Sequence, residues 1–396
     1  MLDSYTRVDL DGRVAYIRKD RVEPLREVST VIFDCDGVLI DAHDSYNRSI
    51  SRTVSYLAKK LLRTQVSEEV ISDSVIYGFR KSGGFNNDWD TTYSILLYLF
   101  TKLPDDILDR FRELYRLFQK EGAPREPYER VSKAKKLFAE AESADKLSDS
   151  IGQDLLKLAE KADSRGLISI EEVLLNDDLG EAQKGFTMLM SYPGIVGVST
   201  VMTVFEEFFL GSDLFLQKYG FRSRFVKDYQ GLVASERSLV NEETLTLLAK
   251  VFGGSSLGIV SGRSIVTAEL TLRDILKRFN TGLTVFVEDE IAVAMKKGDA
   301  ERLKEIGKPN PYALLKAEES APQSGRILYV GDSREDIIMV ERANDVTDRF
   351  IAVGVYGCTH NPSELMDMFL ENGAYLITES VNDLPRLFEM IRREKI

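Results

Sequence analysis

Cysteine, histidine and tryptophan are scarce in this chain: Cys35 and Cys358, His43 and His360, and Trp89 are all that 396 residues contain. Two cysteines cannot build a disulfide framework and suit a reducing compartment. The two histidines stand singly in polar surroundings without partners at ligand spacing, so both read as structural. Positive charge is also short: the formal net charge is -12, with no basic tail or stripe, which argues against a nucleic-acid backbone as partner. A small anion at a local site remains compatible with that balance. The opening "MLDSYTRVDLDGR" lacks the apolar core of a signal peptide, and no run is long and apolar enough to span a bilayer. The expectation is a soluble cytoplasmic protein with no membrane partner.

Hydrophobic residues make up 43% of the chain, enough to fill the cores of two domains. "RVDLDGRVAYI" shows two alternating runs around Asp11-Gly12, a pair that favours a tight β-hairpin turn, and reads as a small appended ribbon. After the apolar run "VIF", Ile50, Val54, Leu57 and Leu61 fall at helical spacing, and helical character continues to about Gln217. Asn241 before "EETLTLLAK" reads as a capped helix leading into the strand "LGIV". The runs "RILYV", "FIAVGV" and "AYLIT", each followed by a helical pattern, complete the series.

Strands separated by helices give an α/β fold with a Rossmann-like parallel sheet, whose site lies at the carboxyl ends of its strands. The long helical stretch is too extensive for a crossover and reads as an inserted domain. The expected organisation is a hairpin over residues 1–25, a core over 26–42 and 239–396, and a helical domain over 43–238. Within the last, about 121–190 is a charged, solvated helical insertion carrying Leu137, Leu147, Leu155, Leu156 and Leu158.

The stretch "VIFDCDGV" raises the chemical question. A run apolar enough to be buried ends in Asp34 and Asp36, and two ionised carboxylates so close repel each other unless a cation sits between them. The other strand ends are similarly equipped. Ser261-Gly262-Arg263 follow "LGIV", Gly331-Asp332-Ser333 follow "RILYV", and Lys308-Pro309-Asn310-Pro311 lies between the last two strands considered. In a parallel sheet these tips converge, bringing carboxylates, a hydroxyl and an ammonium together. Hard carboxylate oxygens without a histidine or thiolate cluster favour Mg²⁺ over zinc.

In order, "FDCDGV", "GIVSGRS", "GKPNP" and "YVGDSREDI" followed by "AVGVYG" resemble the motifs of the haloacid dehalogenase superfamily, in its branch with a helical cap after the first motif. The resemblance spans Thr30 to about Phe388. It implies a first strand lying beside the strand of the fourth motif. It further implies a phosphatase acting on a small phosphorylated metabolite, with Asp34 as nucleophile forming an aspartyl-phosphate and Asp36 as general acid and then base. Asp34, Asp36 through its carbonyl, Asp332 and Asp336 would hold Mg²⁺. Asp336 would bind it through water, or else hold Lys308 in place. Ser261 and Lys308 would grip the phosphoryl group. A β-phosphoglucomutase-like isomerase shares this catalytic set, and a non-catalytic sensor of a phosphometabolite is the reading from another class. The intact Asp36 disfavours the sensor, because binding alone does not require it. Self-association into a homodimer is left open.

Several residues admit two readings. Ser261 is a phosphoryl ligand or a helix N-cap. Gly262 and Arg263 face substrate, or Arg263 forms a salt bridge. Cys35, between the two aspartates, points away from them into the packing. The segment "FRKSGGFNNDWD" concentrates backbone freedom and hydrogen-bonding groups. It reads as a specificity loop in which Arg80 or Lys81 meets a charge and Asn86, Asn87 and Trp89 contact the leaving group. Alternatively, Asn87 or Asp88 caps the next helix while Trp89 packs.

Overall fold

Asp11 and Gly12 hold positive φ, 55° and 97°, the backbone geometry that a two-residue turn between antiparallel strands demands. They join β1 (Tyr5–Leu10) to β2 (Arg13–Arg18). The computed structural model describes residues 2–85, 87–139, 150–299, 306–359 and 361–393. The chain divides into two units, Met1–His43 with Glu236–Ile396, and Asp44–Ser235.

The first unit is built on an eight-stranded sheet in the order β1-β2-β10-β9-β8-β3-β6-β7. Its remaining members are β3 (Val28–Phe33), β6 (Leu257–Ser261), β7 (Val285–Phe286), β8 (Arg326–Gly331), β9 (Phe350–Val355) and β10 (Leu376–Thr378). From β10 to β7 every pairing is parallel. The continuous apolar runs of β3, β6, β8 and β9 are buried along nearly their whole length, as strands covered on both faces must be. The first motif's strand does lie beside the fourth's, with Phe33 opposite Val330.

Three features depart from the sequence reading. The hairpin is not an appended ribbon: Tyr16 and Ile17 of β2 pair antiparallel with Ile377 and Leu376 of β10, extending the sheet. The edge strand β7 was not foreseen. A separate ladder of β4 (Ile40–Asp41) and β5 (Arg237–Ser238) was also missed, because two-residue strands carry no periodicity to read.

The second unit is helical. Its helices include Asp88–Thr101, Asp105–Glu121 and Thr200–Tyr219, the last broken at Gly211, and they pack through aromatic rings such as Phe100 on Phe186, with centroids 4.5 Å apart. Buried Glu207 is satisfied by the backbone N–H groups of Arg224, Phe225 and Val226 at 3.0, 2.8 and 2.7 Å. In the charged stretch, Pro127–Leu137, Ile151–Ala159, Leu167–Leu174 and Gly180–Met190 are helices. Leu155 and Leu158 are buried, Leu156 is exposed, and Leu147 lies outside the described residues. Among the described residues no helix is long and apolar enough to cross a membrane.

Candidate active site

The parallel ladder dictates where the motif residues fall. β3 ends at Phe33, and Asp34 continues its pairing by donating its N–H to Val330 O at 2.8 Å. The chain then turns sharply: Cys35 O accepts the N–H groups of Leu39 and Ile40 at 2.7 and 2.8 Å. Gly37 sits in the turn at φ +71°, and a Cβ there would fall 1.8 Å from Asp332 Oδ2. Both its left-handed backbone and the approach of that carboxylate require glycine.

Asp332 follows β8, and its oxygens share a small volume with those of Asp34 and Asp336: one carboxylate oxygen from each lies within 4.8 Å of the others. Lys308 reaches the same place. Its Nζ stands 2.8 Å from Asp34 Oδ2 and 2.9 Å from Asp336 Oδ1. Asp336 is held from all sides. Its Oδ2 accepts the N–H groups of Asp332 and Ser333 at 3.1 and 3.0 Å and the Ser333 hydroxyl at 2.7 Å. With Ser333 it forms the capping box that starts helix Arg334–Thr347. The hydroxyl of Tyr329, on β8, lies 3.1 Å from both Asp336 Oδ1 and Val260 O, either of which accepts its single proton.

The electrostatics follow from burial and crowding. Burial pushes the Asp34 carboxyl up, to about 6; Lys308 opposes the rise while Asp336 and Asp36 add to it. Asp332 is held well above the usual carboxylate range, first by burial and then by Asp336 and Asp34. Burial works against the Asp336 charge too, but Lys308 and the Ser333 and Tyr329 hydrogen bonds outweigh it, leaving that carboxyl below its ordinary value. For Lys308, burial disfavours the ammonium, yet Asp336 and Asp34 prevail and hold its pKa well above the ordinary value. The cluster thus carries more carboxylate than one lysine can balance. An all-oxygen donor set of this size, closed on one side by the Gly37 turn, fits a small hard cation such as Mg²⁺.

Asp36 points elsewhere, toward β6. Arg263 Nη2 lies 2.8 Å from Asp36 Oδ1, and the same guanidinium grips Glu236 through both nitrogens at 3.0 Å. Arg263 and Glu236 are buried, and Thr271 donates its hydroxyl to Glu236 Oε2 at 3.1 Å. Of the two readings of Arg263, the structure displays the salt bridge. Burial raises the Asp36 carboxyl above its ordinary value against the pull of Arg263.

Ser261 closes β6 and is buried. It is not the helix cap: Ser264 occupies that position before Ile265–Leu272. The Arg263 N–H approaches Ser261 Oγ at 3.4 Å. Gly262 follows it with open space where a Cβ would stand. Cys35 is fully buried, in keeping with packing.

The cap-loop residues are engaged within the second unit. Asn87 caps helix Asp88–Thr101, its Oδ1 accepting the Asp90 N–H at 2.8 Å. Its Nδ2 donates to Asp90 Oδ2 at 2.6 Å, and Tyr192 donates its hydroxyl to Asp90 Oδ1. Arg80 pairs with Asp88 at 2.7 Å, and Trp89 meets Phe205 edge to face. Lys81 is exposed at the end of helix Asp73–Lys81. Asn86 lies outside the described residues, as does His360. The capping arrangement of the second reading is therefore formed.

Three residues beside the site were not foreseen. Tyr329 hid in a strand as an ordinary core aromatic. Glu236 gave no local signal, since its partner Arg263 is 27 positions away. Glu335, adjacent to Asp336, has its carboxyl pushed up to about 7, by burial and then by Asp336; its place in "SREDI" was the available signal.

The family model of haloacid dehalogenase-like hydrolases matches residues 28–344. Among solved structures, the chain is similar to the phosphatase Tt82 from Thermococcus thioreducens at 21% identity and a TM-score of 0.43, over 87% of this chain and 99% of that one. No curated protein matches. With the family model covering most of the chain and its ordered motifs gathered at the ends of β3, β6 and β8, this protein belongs to the haloacid dehalogenase-like hydrolases.

Proposed function

We propose that this hydrolase is a Mg²⁺-dependent phosphatase that cleaves a small phosphomonoester through an aspartyl-phosphate on Asp34. The observation that carries the proposal is the bridge of Lys308 between Asp34 and Asp336, with Asp332 alongside. It presents a carboxylate nucleophile and a fixed positive charge at one point, which phosphoryl transfer requires.

Asp34 and Asp332 would hold the metal, together with the Asp36 carbonyl, and Asp336, whose oxygens are engaged by Lys308, Tyr329 and Ser333, would reach it through water. When bound, the cation would offset the repulsion between an anionic nucleophile and an anionic ester. A carboxylate oxygen of Asp34 attacks phosphorus while the bond to the ester oxygen breaks. Asp36, paired with Arg263 in the structure, would turn from that partner to give the leaving oxygen its proton, so that a neutral alcohol departs. The same Asp36 then takes a proton from water, which attacks the acyl phosphate and releases inorganic phosphate, regenerating Asp34. The raised Asp36 carboxyl suits a group that must hold a proton in the first half and accept one in the second. Ser261 and Lys308 bind the phosphoryl oxygens, and Tyr329 steadies Asp336, which in turn aims Lys308.

The experiment is a panel of phosphorylated metabolites incubated with the protein and Mg²⁺. Inorganic phosphate released in step with substrate loss supports hydrolysis. An isomeric phosphate ester formed without free phosphate would replace this reading with a mutase, and turnover of none of the panel, p-nitrophenyl phosphate included, would count against catalysis.

A further inference from the structure

The carboxylate cluster is not the only convergence of metal-ligating side chains in the first unit. Asp41 ends β4, His43 follows two residues later where the chain leaves the unit, and Cys358 lies in the turn after β9. One ligating atom from each lies within 4.8 Å of the others. Cys358 Sγ is 3.6 Å from Asp41 Oδ1 and 3.9 Å from His43 Nδ1. His43, without a ligand-spaced neighbour in sequence, thus acquires two in space.

We infer that Asp41, His43 and Cys358 form a second metal site, selective for a borderline divalent transition cation of the Zn²⁺ class. The distances carry the argument. A tetrahedral ion with sulfur at about 2.3 Å and nitrogen or oxygen at about 2.0–2.1 Å sets the sulfur-to-nitrogen and sulfur-to-oxygen edges at about 3.6 Å. The observed edges match one and exceed the other by a few tenths of an ångström, within the reach of a side-chain adjustment. A hydrogen-bonded chain from His43 Nδ1–H through the Cys358 thiol to Asp41 Oδ1 would produce the same two contacts without an ion, and titration with Co²⁺ separates the two arrangements.

The donor set decides which ion. One sulfur, one imidazole nitrogen and one carboxylate oxygen suit Zn²⁺ or Co²⁺ and not Mg²⁺, which prefers an all-oxygen shell. Three protein ligands leave a fourth position for water. Asp41 is also oriented as a ligand would be. Its other oxygen, Oδ2, is held by Arg237 at 3.1 Å, the two residues sit opposite each other in the β4–β5 ladder, and Oδ1 is left to face the thiol. All three donors are partly buried, so the site is open to an ion from solvent. Occupancy ties the turn after β9 to the segment on which the chain passes from the first unit. None of this depends on the phosphotransfer proposal.

The test is a titration of the whole protein with Co²⁺ in excess Mg²⁺, which occupies the carboxylate cluster. A thiolate-to-cobalt charge-transfer band in the near ultraviolet, saturating at one equivalent and lost in Cys358→Ser, is the expected result. His43→Gln, at the first turn of a helix, keeps the band but weakens Co²⁺ at least roughly tenfold, the scale on which even the supporting partners of metal ligands act. No band in the wild type, a band that survives Cys358→Ser and so arises from Cys35, or unchanged affinity in His43→Gln would overturn the inference.

Discussion

Lys308 Nζ sits 2.9 Å from Asp336 Oδ1 while also touching Asp34 at 2.8 Å, so one ammonium is shared between two buried carboxylates from different strand ends. Replacing Lys308 by methionine, which keeps the stem and removes the charge, leaves both carboxylates facing each other. Turnover should fall roughly 100-fold or more, by analogy with removing one preorganised donor at a charged transition state. Phosphate release by the purified variant checks it; activity within about tenfold of wild type would remove Lys308 from the phosphoryl contacts.

Arg263 and Glu236 are 1% and 0% exposed at their side chains and bonded through two contacts. Removing either partner strands a buried charge, at about 3–5 kcal/mol. Arg263→Met and Glu236→Gln should each lower the denaturation midpoint strongly. The double variant should cost less than the sum of the two, and additive losses would mean that the pair is not coupled.

Gly37 leaves no room for a methyl group, since its Cβ would fall 1.8 Å from Asp332 Oδ2. In Gly37→Ala the carboxylate must move. The Mg²⁺ concentration for half-maximal activity should therefore rise, in addition to any loss of stability from the positive φ. A Mg²⁺ titration of activity reads this, and an unchanged half-saturation would separate Asp332 from metal binding.

Asn87 makes the side-chain cap of helix Asp88–Thr101. Asn87→Ala should cost about 1 kcal/mol of stability and depress turnover of a large substrate and of p-nitrophenyl phosphate alike. A loss confined to the larger substrate, with stability unchanged, would instead place Asn87 against the leaving group.

What could be read from the sequence is what is local. β3, β6, β8 and β9 were legible because a strand covered on both faces must be apolar throughout, and Asp34, Ser261 and Asp332 because chemistry sits at the ends of such strands. The Asp11-Gly12 turn was legible from its backbone demand, but the pairing of β2 with β10 was not, because residues more than 350 positions apart share no sequence signal. The same limit hid the contact of Arg263 with Glu236 and that of Cys358 with His43, 315 positions apart. Tyr329 was hidden differently: its ring belongs to the core and only its hydroxyl reaches Asp336, so its apolar context masked its polar end.

The central claim is that Asp34 is the nucleophile, and its direct test is phosphate release by Asp34→Asn beside wild type, each with Mg²⁺ and after exhaustive chelation. The amide is nearly isosteric but a poor nucleophile, so the variant should keep its fold by circular dichroism and lose turnover altogether. Wild-type activity should vanish on chelation and return with Mg²⁺. Full activity in Asp34→Asn, or in the metal-stripped wild type, would contradict the account.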